Sequence, residues 1–283
     1  MAVLTKLTIE EINSLIADTN ISFNHIFETS TGISDTTYIG VSNSDKYVFK
    51  LFENASLRDV KSQIKLLDSI KSLNVPNVLS KDIKLYKNKP FTLFSYIEGS
   101  CSYFITLNHL EQITLFLASL HNIKDIRFPK KNIYEISSFN KMLNSLMDNK
   151  IKEEIKNKFE KIKGIDLKSS ALIHGDLFPD NAKFINGKLS GVYDFTQSCF
   201  GNIKFDLAVV VISWCFNEYS FNNLYFEQII ENYNSYSNKK IEKDSMKIYL
   251  LYACLYYALQ RLYKRREDYD EYLKKYEILE KIL

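Results

Sequence analysis

His174, Asp176 and Asn181 lie on the spacing H-x-D-x-x-x-x-N, and a second acid, Asp194, follows downstream. These residue types have a joint use. A carboxylate on a loop can orient an attacking hydroxyl and take its proton. An amide oxygen and a second carboxylate can hold Mg²⁺ on the phosphates of ATP. Asp176 supplies the first group, and Asn181 and Asp194 supply the other two, so the chemistry indicated is phosphoryl transfer. The competing reading is an Asx-rich surface loop in an Asn-rich chain. A lone H-x-D would favour that reading, whereas the full set favours the site.

The flanking residues say how these side chains are held. The apolar run ALI before His174 reads as a short buried strand. Gly175 and Pro179 forbid regular structure, so HGDLFPDN is a loop. AKFIN, the pair Asn186-Gly187 and KLSGVYD read as two strands around a tight turn, with Asp194 at the end of the second.

The 283 residues suffice for two lobes with a sizeable core, and eight Gly and four Pro argue against disorder. The net charge of +3 is spread along the chain. In the basic tract KKNIYEISSFNKMLNSLMDNKIKEEIKNKFEKIK the lysines alternate with acids at helical spacing. That is a solvated helix face rather than a nucleic-acid patch. Cys101, Cys199, Cys215 and Cys254 are scattered, with no C-x-x-C, which suits free thiols in a reducing compartment. No apolar leader follows Met1, and LAVVVISWCF is too short to cross a bilayer. The expectation is a soluble, cytoplasmic protein with no nucleic-acid or membrane partner.

Thr8 and Glu11 form a capping-box pattern before a first helix, and three β-rich runs follow: ISFNHIFETS, TYIGVS and KYVFKLFE. Between the first two, TGISDTT can cover ATP phosphates through backbone N–H groups and the Ser34 and Thr36 hydroxyls. It carries one glycine, Gly32, and read alone is a hairpin turn. Alternation puts Val48, Lys50 and Phe52 on one strand face, where a cation needs an anion such as the ATP phosphates. A solvent-facing lysine is the alternative. The next helix has Ser56 as N-cap and one apolar stripe from Leu57 to Ile70, with Gln63 beside it. The strands DIKLY and FTLFSYI lead to Glu98-Gly99, read as a hinge between a lobe of residues 1–96 and a lobe of residues 97–283. Backbone groups of Ser95, Tyr96 and Ile97 would bind adenine there.

Beyond the hinge the pattern is helical. Asn108 and Glu111 read as a cap ahead of LEQITLFLASLH, and His121 as a helix-end histidine. After Asp194 a helix is expected from about Ile203 to Glu218. Its Asp206 is an acid in an apolar helix and needs partners, for which the backbone N–H groups of the loop at His174 are suited. Three Tyr- and Leu-rich helical stretches close the chain, and Arg261 lies midway along the longest.

HGDLFPDN followed by a strand-end Asp resembles the kinase-like phosphotransferases that include aminoglycoside, choline and methylthioribose kinases. The chain is most similar to one branch, the type II homoserine kinases of bacteria, from MAVLTKLT through GISDTTY, VFKLFE and HGDLFPDNAKF to LSGVYDF, FDLAVVVISWCF and LQRLY. The resemblance implies an α+β, protein-kinase-like bilobal fold with a small antiparallel-sheet N-lobe and a mostly helical C-lobe. It implies Asp176 as base, Asn181 and Asp194 as Mg²⁺ ligands and Lys50 on the phosphates. It also implies His174 and Asp206 as structural support, ATP as phosphate donor and L-homoserine as acceptor, a step of threonine biosynthesis. Protein kinases pair the strand lysine with a helix Glu; Gln63 stands in that turn here. The branch often lacks a lysine at the Lys50 position, and the exit YDFTQSCFGN differs from its usual aromatic-rich run.

Homoserine carries a carboxylate, for which Arg261 is a bidentate clamp or, alternatively, the partner of a neighbouring helix. An aminoglycoside kinase would want a run of acids late in the chain, whereas KKIEKDSMKIY and YKRREDYDEYLKKY are mixed. Choline would want an aromatic cage, which nineteen tyrosines leave open. A non-catalytic binding protein of the same fold is disfavoured by Asp176, Asn181, Asp194 and Lys50, and favoured only by Gln63.

Overall fold

The computed structural model describes residues 4–29, 35–102, 104–124 and 131–283. The chain divides into two compact units, Met1–Gly99 with Ser190–Tyr193, and Ser100–Leu189 with Asp194–Leu283. The first unit therefore runs three residues past the boundary expected from sequence and takes back a short later segment.

In the first unit, helix α1 (Ile9–Leu15) begins on the anticipated capping box: Thr8 N–H donates to Glu11 and Glu11 N–H donates to the Thr8 hydroxyl. Strands β1 (His25–Glu28), β2 (Thr36–Ser42) and β3 (Asp45–Leu51) precede helix α2 (Leu57–Ser69), which Ser56 caps. Strands β4 (Lys84–Tyr86) and β5 (Lys89–Ser95) complete an antiparallel sheet of order β1-β2-β3-β5-β4. Lys87 and Asn88 both take positive φ (49° and 64°), the geometry a two-residue hairpin requires. Tyr38, Phe49, Leu51, Phe91 and Leu93 form the sheet side of a core closed by Leu7, Ile12 and Ile16. The later segment joins through Val192 N–H, which donates to the Asn74 carbonyl at 2.8 Å.

The second unit holds helices α3 (Leu107–Asn122), α4 (Ile136–Ser145) and α5 (Asn149–Glu160), then strand β6 (Ala171–Ile173). Strands β7 (Ala182–Ile185) and β8 (Lys188–Val192) form a hairpin about Asn186 and Gly187, and β8 runs on into the first unit. Strand β9 (Cys199–Gly201) pairs back on β6, with Ile173 opposite Cys199. Helix α6 (Ile203–Trp214) follows, then a small hairpin of β10 (Phe216–Asn217) and β11 (Ser220–Phe221), then α7 (Asn223–Tyr236), α8 (Lys247–Tyr263) and α9 (Tyr269–Ile282).

Two details differ from expectation. Helix α3 is capped by Thr106 with His109, while Asn108 donates to the Gly187 carbonyl at 2.5 Å. Helix α6 ends at Trp214 rather than Glu218, because Phe216 and Asn217 pair with Phe221 and Ser220 across a turn where Glu218 has φ 53°. Helix α6 is buried all round, as is α8 from Tyr249 to Gln260, so these two form the centre of the unit. No helix among the described residues is long and apolar enough to cross a membrane, and none of the four cysteines is in a disulfide.

Candidate active site

The loop between β6 and β7 is fixed by its main chain. His174 N–H donates to Asp206 Oδ2 at 2.9 Å and Gly175 N–H to Asp206 Oδ1 at 2.7 Å. Asp206 is fully buried in the first turn of α6 and also contacts His121 Nε2 at 2.9 Å. A carboxylate only accepts, so His121 carries its proton on Nε2, which leaves Nδ1 to accept from the Tyr233 hydroxyl at 2.8 Å. Burial pushes the Tyr233 hydroxyl up to about 12, so it remains a donor. On the other side, the Tyr134 and Tyr257 hydroxyls both donate to the Gly175 carbonyl. Gly175 has φ +77°, and a Cβ there would lie 2.2 Å from the Tyr134 hydroxyl oxygen, so only glycine suits the position. Trp214 Nε1 donates to the Leu177 carbonyl at 2.9 Å. His174 is buried, its Nδ1 accepting from Asp176 N–H at 3.2 Å and its ring 4.6 Å from that of Phe195.

These tethers aim Asp176. Its Oδ1 is 3.3 Å from the Tyr257 hydroxyl. Asp176 keeps part of its surface open to solvent, yet burial raises its carboxyl from 3.8 to about 7. The negative charge of Asp194 is the next cause, while Arg261 and Lys264 pull the other way. Asn181 Nδ2 donates to the Asp176 carbonyl oxygen at 2.7 Å, which leaves Asn181 Oδ1 as an acceptor facing elsewhere. Asp194 adopts the left-handed conformation (φ 64°, ψ 62°), which Asp tolerates better than most residues, and accepts from the Thr196 hydroxyl at 2.6 Å. The Asn181 amide oxygen and the Asp194 carboxylate are hard oxygen donors of the kind that suits Mg²⁺.

Arg261 Nη2 donates to the Tyr272 hydroxyl at 3.1 Å, and Nε lies 3.4 Å from Asp268 Oδ2. In the first unit, Lys50 Nζ is 3.1 Å from Asp35 Oδ2. Lys50 shares the half-open strand face with Val48, while Phe49 and Leu51 face the core. Asp35 thus supplies an anion for Lys50 beside the two readings of that lysine from sequence, ATP phosphates or solvent. Thr36 is corrected: it is fully buried, its hydroxyl donates to Glu53 at 2.5 Å and accepts from the N–H groups of Leu4 and Thr5, so it does not face a ligand. Ser95 N–H is committed to the Asn77 carbonyl at 2.9 Å and is not a donor to adenine. Tyr96 has Lys46 over its ring at 5.2 Å, and Ile97 is the side chain that a Cβ on Gly191 would meet. Gln63 lies on the buried face of α2. Ser34 lies outside the described residues.

The Phosphotransferase enzyme family, APH, matches residues 28–229. The chain belongs to this family. Among curated relatives of this phosphotransferase, the homoserine kinase of Brucella anthropi is 26% identical over 93% of this chain and 86% of its own. The homoserine kinase of Bartonella tribocorum is 24% identical over 82% and 78%. Among solved structures, choline kinase LicA from Streptococcus pneumoniae superposes with a TM-score of 0.70 at 16% identity, covering 96% of this chain and 98% of that one. A thermostable mutant of aminoglycoside phosphotransferase APH(4)-Ia, in ternary complex with ADP and hygromycin B, gives 0.70 at 12% identity over 97% of each chain.

Sequence reasoning about this phosphotransferase missed Tyr134, Tyr257 and the full role of His121. Neither Tyr134, in the segment before α4, nor Tyr257, in an apolar helix, carries a local sign of what its hydroxyl reaches. For His121 a signal existed: a histidine at the end of an apolar stripe is buried and needs partners for both ring nitrogens.

Proposed function

We propose that the chain transfers the γ-phosphoryl group of ATP to the hydroxyl of L-homoserine, giving O-phospho-L-homoserine and ADP, a step of threonine biosynthesis. The hydroxyl oxygen attacks the γ-phosphorus, the bond to the β–γ bridging oxygen breaks, and the hydroxyl proton passes to Asp176. The observation that carries phosphoryl transfer is Asp176 on a loop whose backbone is fixed on both sides, with burial and Asp194 raising its carboxyl to about 7. A base with a value near the working pH can accept a proton in the forward step and release it afterwards.

Asn181 Oδ1 and the Asp194 carboxylate are the proposed holders of Mg²⁺. When bound, the ion would neutralise charge on the β- and γ-phosphate oxygens. Lys50 is the proposed phosphate ligand of the first unit, exchanging Asp35 for the nucleotide, with Tyr96 and Ile97 offering backbone groups to adenine. The acceptor is taken from the relatives named homoserine kinase, which align over most of both chains.

An ADP-release assay across L-homoserine, choline, methylthioribose and kanamycin tests this. Homoserine is expected to give the highest kcat/KM. Preference for any other of the four refutes homoserine as substrate.

A further inference from the structure

Helix α8 carries Tyr257, Gln260 and Arg261 along one face, since residues three and four apart lie together on a helix, and Lys264 caps its C-terminal end. The first two fix where that face points. The Tyr257 hydroxyl touches the Gly175 carbonyl and Asp176 Oδ1, and Gln260 Nε2 donates to Gln197 Oε1 at 3.0 Å. Arg261 lies one turn beyond Tyr257, and Lys264 follows at the helix cap. The positive charges of both act on the Asp176 carboxyl.

Neither cation is used up. Lys264 is exposed, and its Nζ makes no hydrogen bond or ion pair with any described residue. Arg261 has five N–H donors. Its side chain makes a single hydrogen bond among the described residues, from Nη2 to Tyr272, and Nε is buried without one although Asp268 is 3.4 Å away. Arg266 is different, because both its Nε and Nη2 are bonded to Asp268 at 3.0 and 2.7 Å. Asp268 is therefore engaged bidentately by Arg266, and Arg261 keeps a planar donor set with spare capacity.

We propose that Arg261 and Lys264 form an anion subsite beside Asp176 that takes the carboxylate of the acceptor alcohol. The inference rests on the phosphotransfer reading above and specifies its substrate class: hydroxy acids and hydroxyamino acids, not cationic alcohols. The planar guanidinium suits a carboxylate and the flexible ammonium adds a second positive charge. The same pair disfavours choline or an aminoglycoside, whose positive charges it would repel. Lys264 is a specificity residue that the sequence did not single out.

The test compares L-homoserine with 3-aminopropan-1-ol, which lacks only the carboxylate. Lys264→Met, chosen because the residue is exposed and the substitution keeps an unbranched side chain, should raise KM for homoserine at least about tenfold. KM for ATP should stay within about twofold. The wild-type preference for homoserine over 3-aminopropan-1-ol should shrink by at least about tenfold. Arg261→Lys, which keeps the charge and loses the fork, should act in the same direction. Unchanged homoserine KM in both variants, with wild-type homoserine turnover intact, overturns the subsite and leaves the homoserine reading standing. A rise in ATP KM instead assigns the pair to phosphate and also overturns it. If the wild type prefers another hydroxy acid to homoserine, the subsite stands and homoserine falls. If it prefers 3-aminopropan-1-ol or choline, both fall.

Discussion

In the first unit, Lys50, Lys84 and Lys89 each lie against a carboxylate, that of Asp35, Asp18 and Glu53. In the second, the buried acid Asp206 is held by two backbone N–H groups and a histidine N–H, whereas Asp176 has the Tyr257 hydroxyl at 3.3 Å and the charges of Arg261 and Lys264 against burial and Asp194. The difference is one of purpose. Ion pairs of part-exposed side chains are weak and exchangeable. Dipoles aimed at a buried carboxylate fix backbone, so Asp206 can hold a loop rigid. For Asp176 burial outweighs these contacts, and its carboxyl is raised to about 7.

The largest break in this comparison comes from Asp206→Ala. It strands two buried N–H groups and the His121 proton together, and should lower stability by about 3–5 kcal/mol. Urea unfolding measures the loss. kcat should fall with it, while ATP binding, read by titration calorimetry on the folded fraction, should survive. A stability change under about 1 kcal/mol would mean the loop is held by other contacts.

Next is Asp176→Asn, for which activity and stability should move in opposite directions. Turnover should drop at least about a hundredfold, about 3 kcal/mol in barrier, with ATP still bound. In the folded protein the carboxyl titrates near 7, above its ordinary 3.8, so its charge is less favourable folded than unfolded. That penalty is absent below pH 3.8 and complete above pH 7, where it reaches up to about 4 kcal/mol. The variant should therefore melt several degrees higher than wild type at pH 8, with the gap closing toward pH 4. Near-normal turnover removes Asp176 from the base role, and an equal gap at both pH values removes the buried-charge account.

A third measurement asks whether Asp194 helps set that value. kcat/KM should fall tenfold per pH unit below the Asp176 value, since only the charged form accepts a proton. Raising Mg²⁺ should move this acid limb to lower pH by about one unit, because a cation on Asp194 cancels its push on Asp176. Excess chelator should abolish turnover. A limb that stays fixed across Mg²⁺ concentrations would separate Asp194 from the metal.

How much of this was readable beforehand depends on the range of each interaction. Gly175, Pro179, Asn186-Gly187 and the Thr8–Glu11 box act within a few residues, so loop, hairpin and cap were legible. Asp206 was legible because an acid in a wholly apolar helix has few ways to be satisfied. Tyr134 and Tyr257 were not, since both reach Gly175 from sequence-distant segments, one before α4 and one within α8. The Thr36 hydroxyl was read as reaching the ATP phosphates, although alternation with Tyr38 places it on the buried face. The Asp35–Lys50 pair depends on how β2 and β3 register, with Thr37 opposite Lys50, which composition does not reveal.

Glu53→Gln in the first unit should give the smallest effect and sharpen the contrast by its sign. Burial alone would raise the Glu53 carboxyl, but hydrogen bonds from Lys89 and Thr36 outweigh it and hold the group below its ordinary 4.5. A lowered value means the charged form is better off folded, so the stabilisation is present above pH 4.5 and lost as pH falls through the folded value. The substitution should cost about 1 kcal/mol at pH 7, with the difference from wild type fading in acid. Asp176→Asn is expected to stabilise at pH 8 and Glu53→Gln to destabilise at pH 7, both differences shrinking on acidification. Melting curves at pH 8, 7 and 4 for the two variants decide this. If Glu53→Gln also raised the melting temperature, the first unit's ion pairs would be as strained as the Asp176 carboxylate, and the contrast between the two acids would not hold.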